Sequence, residues 1–188
     1  KTIQAVLSDL MKHGYKHIVV VDDGSKDHTA NIAGDHGAIV VRHRINRGLG
    51  GALGTGIAAA LKLGSDLMVT FDADGQHDPA DLRKVLEPLR KQQADVVIGS
   101  RLMQPEGMPL IRRLYNYIGN LVTLMMFGKY VTDSQSGMRG FSAEAAAKIA
   151  IKTNRMEVSA EIIREIKKNN LRLVEVPIKA IYTDYSMS

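Results

Sequence analysis

Apolar residues follow two alternating spacings along this chain. Between Thr2 and His13 they fall three or four positions apart, which predicts an amphipathic helix. Between His17 and Val21 they are contiguous and β-branched, and the Asp-Asp-Gly that follows predicts a buried strand ending in a turn. Further helices are predicted over 28–36, Gly50–Leu63, 79–92, Leu110–Phe127, 143–150 and 157–169. Further strands are predicted over Ala38–Arg42, Asp66–Phe71, Asp95–Gly99, Met138–Phe141 and an extended stretch at Arg172–Ile181.

The alternation of strands and helices predicts an α/β fold. Its central sheet should be mostly parallel, with helices covering both faces. The length of 188 residues fits a single domain. Such a domain usually opens with a strand, but this chain opens within a helix and ends within an extended segment. We therefore expect one domain of a longer protein, lacking its first strand.

The composition narrows the possible partners. A formal net charge of +5 favours anionic partners, although it is also compatible with a merely solubilising surface. The chain has no cysteine, which excludes disulfides and thiolate chemistry. Its most apolar stretch, Leu121–Phe127, is too short to span a bilayer.

Two carboxylates follow the strand that ends at Phe71. Asp72 and Asp74 flank Ala73, and residues i and i+2 of an extended segment point to the same side. Mg²⁺ and Mn²⁺ bind in proteins through carboxylates together with substrate phosphates, and Gln76 is close enough in sequence to add a ligand. A cation held there would stabilise a diphosphate as a leaving group. The alternative is a solvated, aspartate-rich turn.

Polar residues also follow two other predicted strands. Asp22-Asp23-Gly24 comes after one strand, and Gly99-Ser100-Arg101 comes after another. Ligands of open α/β sheets bind beyond the carboxyl ends of the strands, so these residues should share one rim with Asp72. A carboxylate in the first cluster could accept a hydrogen bond from a nucleobase. The alternative is that aspartate and glycine only form the turn.

The loop Asn46–Gly54 is basic and rich in glycine, and it opens a helix. Free amides at a helix N-terminus favour anions, so Arg47 and Gly48 are candidates for ligand contact. No Gly-Lys-Ser/Thr follows, which excludes a Walker A loop. We expect Gly51, Ala52 and Gly54 only to allow close packing of the helix on the sheet.

A group of cations surrounds the next loop. Arg101, Arg112 and Arg113 could hold a phosphate by charge-assisted hydrogen bonds, and Asn116 lies one helical turn beyond Arg112. The alternative is a solvated helix face. The histidines lack metal-ligand spacing, and five of them are expected on the surface: His13, His17, His28, His36 and His43.

Taken together, these clusters resemble the family 2 glycosyltransferases, which have the GT-A fold. The matching segments are Val19–Thr29, Asn46–Gly50, Phe71–His77 and Gly99–Arg101. Two later segments resemble the branch of dolichyl-phosphate mannose synthases and polyprenyl-phosphate glycosyltransferases: Asp133–Phe141 and Glu175–Ile178. The resemblance covers nearly the whole chain, in order.

The resemblance implies a role for each cluster. It assigns the nucleotide-sugar donor to Asp22, Asp23, Gly24, Arg47, Gly48, Asp72, Ala73 and Asp74. It assigns Mg²⁺ or Mn²⁺ to Asp72, Asp74 and Gln76. It assigns the polyprenyl-phosphate acceptor to Arg101, Arg112, Arg113, Asn116 and Ser186, although the family more often has serine at the position of Asn116. The candidate catalytic residues are Asp74, Arg101 and Asp133.

The family also implies features outside these residues. Its opening strand carries Pro-x-Tyr-Asn-Glu, which is absent here, and membrane helices would follow residue 188. The implied location is the cytoplasmic face of a membrane, with no nucleic-acid partner. The chain has no Gln-x-x-Arg-Trp and no tryptophan, which argues against a processive polysaccharide synthase.

The implied reaction is an inverting transfer from a UDP- or GDP-sugar to a polyprenyl phosphate. A phosphate monoester has a second pKa of roughly 6, so it is already ionised at neutral pH and needs cations rather than a base. A sugar hydroxyl would need a base, for which Asp133 is the candidate. Two alternatives stay open: a soluble family 2 transferase acting on a hydroxyl, and a nucleotidyltransferase or non-catalytic nucleotide-binding module.

Overall fold

The computed structural model describes residues 2–103, 131–179 and 181. The helices are α1 (Thr2–Lys12), α2 (Thr29–Asp35), α3 (Gly48–Lys62), α4 (Leu82–Arg90, preceded by the 3₁₀ turn Pro79–Asp81), α5 (Ala143–Lys148) and α6 (Val158–Lys168). The strands are β1 (Val19–Asp22), β2 (Ile39–Arg42), β3 (Leu67–Thr70), β4 (Val96–Ser100), β5 (Arg139–Ser142) and β6 (Leu173–Pro177). These elements lie close to the predicted bounds, and the helix predicted over Leu110–Phe127 lies outside the described residues. Within the described ranges, no helix is long and apolar enough to cross a membrane.

The described strands form two sheets. β1 and β2 pair in parallel, and the other four strands form a sheet in the order β3-β5-β4-β6. In this larger sheet β4 and β6 are parallel, whereas β5 is antiparallel to both of its neighbours. The α/β class is confirmed. Within the larger sheet β3, β4 and β6 run in the same direction and β5 runs against them, so the sheet is mixed, and the described strands form two sheets where one was expected. The apolar run that predicts β5 carries no information on strand direction, which the path of the chain decides.

Helices cover both faces of the larger sheet, as predicted. Val96 and Ile98 of β4 pack in one apolar cluster with side chains of α3, α5 and α6. Val97, between them, packs in a second cluster with side chains of α1 and α4. Side chains alternate across a strand, so a continuous apolar run such as Val96–Ile98 fits a strand buried on both faces. The buried β4 therefore ends, at Ser100, in a position set by packing on two sides.

An ion pair joins the beginnings of β4 and β6. Asp95 Oδ2 accepts hydrogen bonds from the backbone nitrogen of Arg172 at 2.7 Å and from its Nε at 3.1 Å, and Oδ1 accepts one from Nη2 at 2.7 Å. The side chain of Arg172 lowers the pKa of Asp95. This pair aligns the parallel strands at the end opposite to the polar rim.

The contribution of the core to stability can be tested at Phe141, the largest fully buried side chain among the described residues. Phe141 of β5 is fully buried in the cluster formed with α3, α5 and α6. We expect Phe141→Ala to lower the free energy of unfolding by about 3–5 kcal/mol, because a cavity adds to the lost burial. Urea titration measures it. Ile45→Ala is the matched control, since that side chain is 73% exposed, and a comparable loss in both variants would contradict the assignment of the core.

The Asp95–Arg172 pair predicts a pH dependence of stability. A lowered pKa in the folded state stabilises the fold above the unfolded value of about 3.9, and this contribution disappears as the pH falls through the folded pKa. The difference in unfolding free energy between the wild type and Asp95→Asn should therefore be constant near neutral pH and shrink in acid. Urea titrations between pH 7 and pH 2.5 measure the difference. A gap that does not shrink below pH 4 would contradict the ion pair.

Candidate active site

The carboxylate of Asp23 organises the first part of the rim. It follows β1, and its Oδ1 accepts hydrogen bonds from the backbone nitrogen of Arg47 at 2.8 Å and from Nδ1 of His43 at 2.6 Å. Its Oδ2 accepts one from the backbone nitrogen of Gly48 at 2.7 Å. Desolvation is the largest single effect and raises the pKa of Asp23, but these hydrogen bonds together lower it. The N-terminus of α3 favours an anion, and the carboxylate of Asp23 already fills that position.

His43 belongs to this group, so the expectation that it is a surface residue is wrong. Its side chain is 9% exposed, with Nδ1 bonded to Asp23 and Nε2 lying 2.9 Å from Thr55 Oγ1. The cause is strand register. Asp22 and Arg42 are opposite each other at the ends of β1 and β2, so the residues that follow leave the sheet side by side. The sequence held this signal, because His43 directly follows a predicted parallel strand. His13, His17 and His28 are exposed as predicted, and His36 is half-buried.

The glycines that open α3 allow it to approach another loop. Gly48 has a φ of +80°, and a Cβ there would overlap the carbonyl oxygen of Asn154. A Cβ on Gly50 would overlap the carbonyl oxygen of Thr153, while its own backbone nitrogen donates to Asn154 O at 3.0 Å. Only glycine fits at these two positions, and the amide of Gly48 is already engaged by Asp23.

The predicted packing of α3 on the sheet occurs further along the helix. A Cβ on Gly56 would lie 3.4 Å from the side chain of Val21 in β1. A Cβ on Gly54 would lie 3.7 Å from the side chain of Ile151 instead, and a Cβ on Gly51 would overlap the side chain of Arg47. The expectation that Gly51 and Gly54 pack against the sheet is therefore wrong, because the loop that contains Ile151 covers this part of the helix.

Asp22 and Gly24 form the turn that carries Asp23. Asp22 is buried, and its Oδ1 accepts a hydrogen bond from the backbone nitrogen of Ser25 at 2.8 Å. Its Oδ2 lies 3.2 Å from Nε of Arg42 in an ion pair. Gly24 has a φ of +82°, a conformation that side chains rarely adopt. Asp22 and Gly24 therefore form the turn, as in the alternative to contact with a ligand.

Asp72 is the centre of the second group. Its Oδ2 lies 3.6 Å from Nε2 of the buried His77. The pKa of Asp72 is lowered, first by His77 and then, against the effect of burial, by the positive charges of Arg139 and Arg101. A Cβ on Gly137 would overlap the Asp72 carboxylate, so a glycine is required there. The side chain is still 42% exposed, which leaves the carboxylate open to a ligand.

Asp74 lies in a turn rather than in an extended segment. Ala73 and Asp74 are turn residues, and Gly75 follows with a φ of +80°. Asp74 is exposed, and its Oδ1 accepts a hydrogen bond from the backbone nitrogen of Gln76 at 2.9 Å. The prediction that Asp72 and Asp74 point to the same side assumed an extended segment. It is wrong, because the chain turns at Ala73 and Asp74.

The loop still has the donor chemistry that Mg²⁺ and Mn²⁺ use. Asp72 and Asp74 are both accessible, and Gln76 is half-buried beside them in the chain. In the described parts of the chain, no group of three or more His, Cys, Asp or Glu side chains is arranged to hold a metal ion. Two carboxylates suit a cation that takes its other ligands from water and substrate phosphates, as these ions commonly do.

Arg101 is held rigidly by Asp133. Its Nε and Nη2 donate to the two carboxylate oxygens at 2.7 Å and 2.9 Å, and its backbone nitrogen donates at 3.1 Å. The Asp133 side chain is fully buried, whereas that of Arg101 is 22% exposed. Both carboxylate oxygens of Asp133 are engaged by this bidentate pair in a buried position, so the carboxylate is suited to orienting Arg101. This geometry favours the structural alternative over the base.

A second guanidinium, which the sequence reasoning did not select, lies behind this pair. Arg139 is 3% exposed, and its Nη2 donates to Ser134 O at 2.9 Å and to Ser159 Oγ at 2.8 Å. Burial lowers the pKa of Arg139 to about 10, while the charges of Asp72 and Asp133 oppose this effect. It therefore remains protonated at neutral pH and offsets the negative charges of Asp72 and Asp133. The sequence feature that could have identified Arg139 is the presence of an arginine within the apolar run predicted as a strand.

The structure thus brings Asp72, Arg101 and Asp133 into one electrostatic group, and it joins Asp23, Arg47 and Gly48 in another. The remaining acceptor candidates lie outside the described residues: Arg112, Arg113, Asn116 and Ser186. Among the described residues, Arg101 is the cation assigned to the acceptor.

Relatives of this chain include transferases whose names specify polyprenyl phosphates. The UDP-N-acetylglucosamine–dolichyl-phosphate N-acetylglucosaminyltransferase of Methanococcus voltae is 40% identical over 210 residues, covering 100% of this chain and 84% of that protein. The undecaprenyl-phosphate mannosyltransferase of Micrococcus luteus is 35% identical over 172 residues, covering 86% and 70%. An uncharacterised protein of Methanocaldococcus jannaschii is 54% identical over 193 residues, covering 100% and 79%.

The fold is also found in a solved enzyme. Glucosyl-3-phosphoglycerate synthase from Mycobacterium tuberculosis, in complex with Mn²⁺, UDP and glucosyl-3-phosphoglycerate, has a TM-score of 0.70 at 19% identity over 97% of this chain and 67% of that one. This likeness confirms the predicted GT-A fold. Residues 1–150 match the family described as glycosyl transferase family 2. The chain therefore belongs to glycosyl transferase family 2.

Proposed function

We propose that this chain transfers one sugar from a UDP- or GDP-sugar to a polyprenyl phosphate, with inversion at the anomeric carbon. The observation that carries the proposal is the Arg101–Asp133 pair. It presents a partly exposed cation, held in one orientation, close enough to Asp72 for their charges to interact. An anionic acceptor would be held there next to the donor's diphosphate. The relatives from Methanococcus voltae and Micrococcus luteus, whose names specify dolichyl and undecaprenyl phosphate, support this acceptor class.

The donor diphosphate and a divalent cation belong to the loop after β3. Asp72 and Asp74 would hold Mg²⁺ or Mn²⁺ together with Gln76, and Ala73 lies between the two carboxylates at the start of the turn. The bound cation would offset the negative charge that develops on the departing diphosphate. The Mn²⁺ and UDP bound to the Mycobacterium tuberculosis synthase, which shares the fold, support this assignment.

The nucleoside belongs to the turn after β1. Three donors already engage the Asp23 carboxylate. An ionised carboxylate accepts about four hydrogen bonds, so Asp23 retains capacity for a nucleobase N–H. Asp22 and Gly24 shape this turn. The amide of Gly48 is used internally, so its part in donor binding is to orient the loop, and the exposed guanidinium of Arg47 is the group available to the diphosphate.

The pairing of Asp133 with Arg101 bears on the choice between a phosphate and a hydroxyl acceptor. A phosphate monoester is ionised at neutral pH, so one of its oxygens can attack the anomeric carbon without a base. A hydroxyl acceptor would require a base, and the one candidate named for that role is tied to Arg101. The geometry therefore favours the phosphate over the hydroxyl acceptor. Membership of glycosyl transferase family 2 leaves a nucleotidyltransferase or a non-catalytic module without support.

The proposed lipid acceptor implies that the reaction takes place at a membrane surface. A polyprenyl chain keeps its phosphate at a bilayer surface, so the domain would work at a membrane, on the cytoplasmic face where nucleotide sugars are present. The formal net charge of +5 favours a surface of anionic headgroups.

Release of nucleoside diphosphate tests the acceptor. We expect UDP or GDP release from a panel of nucleotide sugars, with Mg²⁺ or Mn²⁺ present, only when a polyprenyl phosphate is supplied. Mass spectrometry of the lipid product should show one added sugar. Release that depends on a soluble sugar hydroxyl instead would contradict the acceptor class, and release of pyrophosphate would point to nucleotidyl transfer.

The cation site is tested at Asp74, whose carboxylate is exposed and has no ion pair within the described structure. Asp74→Asn keeps the shape but removes a charge, so metal-dependent binding of the nucleotide sugar should be lost. Isothermal titration with and without Mn²⁺ measures this. Asp35→Asn, at the exposed end of α2, is the control. Equal metal-dependent binding in the wild type and Asp74→Asn would contradict the site.

A further inference from the structure

The carboxylate of Glu175, in β6, has no role in the function proposed above. Both of its oxygens lie 2.9 Å from the backbone nitrogen of Thr132. Its Oε1 also accepts hydrogen bonds from Thr132 Oγ1 at 2.7 Å and from the backbone nitrogen of Asp133 at 3.3 Å. One half-buried carboxylate thus receives three converging donors from the residues that lead into Asp133.

The same carboxylate also reaches the other half of the Arg101–Asp133 pair. Thr132 Oγ1 lies 2.6 Å from the hydroxyl of Ser100, the residue directly before Arg101. Ser100 ends β4, and β4 pairs in parallel with the strand that carries Glu175. Glu175 therefore ties together the two segments whose side chains form the ion pair.

We propose that Glu175 is a positioning residue for the acceptor phosphate, acting through Thr132 and Asp133 on the guanidinium of Arg101. This inference rests on the proposed function, because it assigns Arg101 to the acceptor. A carboxylate suits the place, since every group that faces it in these contacts is a donor. A glutamine would place an amide N–H beside the N–H of Thr132, and the segment would shift to separate them.

The test is Glu175→Gln, which keeps the size of the side chain. We expect the KM for the polyprenyl phosphate to rise about tenfold, the effect of losing roughly one charge-assisted hydrogen bond. The KM for the nucleotide sugar should stay within about twofold of the wild type, because the hydrogen bonds of Glu175 to described residues end on Thr132 and Asp133 and not on Asp23 or Asp72. A merely structural role would raise both KM values together or lower kcat without this split.

Thr132→Val is the second variant. It removes only the hydroxyl that bridges Ser100 and Glu175, so it should raise the same KM by a smaller factor. If Glu175→Gln does not fold, the acceptor KM of Thr132→Val tests the positioning role by itself. Glu87→Gln is the matched control, since that glutamate pairs with Lys91 on the exposed face of α4, and both KM values should remain at the wild-type level.

The outcomes separate the two proposals. If the wild type shows no lipid-dependent release of nucleoside diphosphate, the proposed function fails and this inference fails with it. If the wild type is active but Glu175→Gln and Thr132→Val leave the acceptor KM unchanged, only the inference is overturned. Selective loss of acceptor affinity in both variants, with Glu87→Gln unaffected, supports it.

Discussion

The ion pair between Arg101 and Asp133 is the interaction on which the proposed acceptor site depends. Burying a carboxylate is costly unless it is paired and fully hydrogen-bonded, and the Asp133 side chain is fully buried. Three donors of Arg101 meet that requirement on one side, and the charge of the buried Arg139 contributes from the other. The guanidinium of Arg101 cannot turn away without removing the hydrogen bonds that satisfy a buried carboxylate, so it is held in one orientation.

The same principle, a carboxylate that satisfies backbone donors, shapes the proposed nucleotide side of the site. Asp23 engages the amides that open α3, and His43 fixes the carboxylate from the opposite side. The loop that contains Arg47 is therefore organised by the protein before any ligand arrives. A diphosphate bound nearby would be held by the guanidinium of Arg47 rather than by the amides at the helix terminus, which a glycine-rich loop alone had suggested.

Elements and candidate clusters were largely predictable, whereas the partners within the site were not. The acidic pair after β3, the turn after β1 and Arg101 after β4 were found because strand ends are visible as apolar runs that stop at polar residues. Glu175 contacts Thr132 across 43 positions of sequence, and Arg139 reaches Ser159 across 20. No local pattern encodes such contacts. The interpretation of His43 as a surface residue was wrong for the same reason, since its partners lie 20 and 12 positions away.

The sequence by itself determined the elements, the α/β class, the family resemblance and the residue types available at the ends of the strands. Hydrophobic periodicity and turn-forming residues act over a few positions, and they leave a direct trace in the chain. Only the tertiary structure decided the direction of β5, the turn at Asp74 and the pairing of Arg101 with Asp133. These depend on which distant segments pack together, because a buried charge takes whatever partner the fold places beside it.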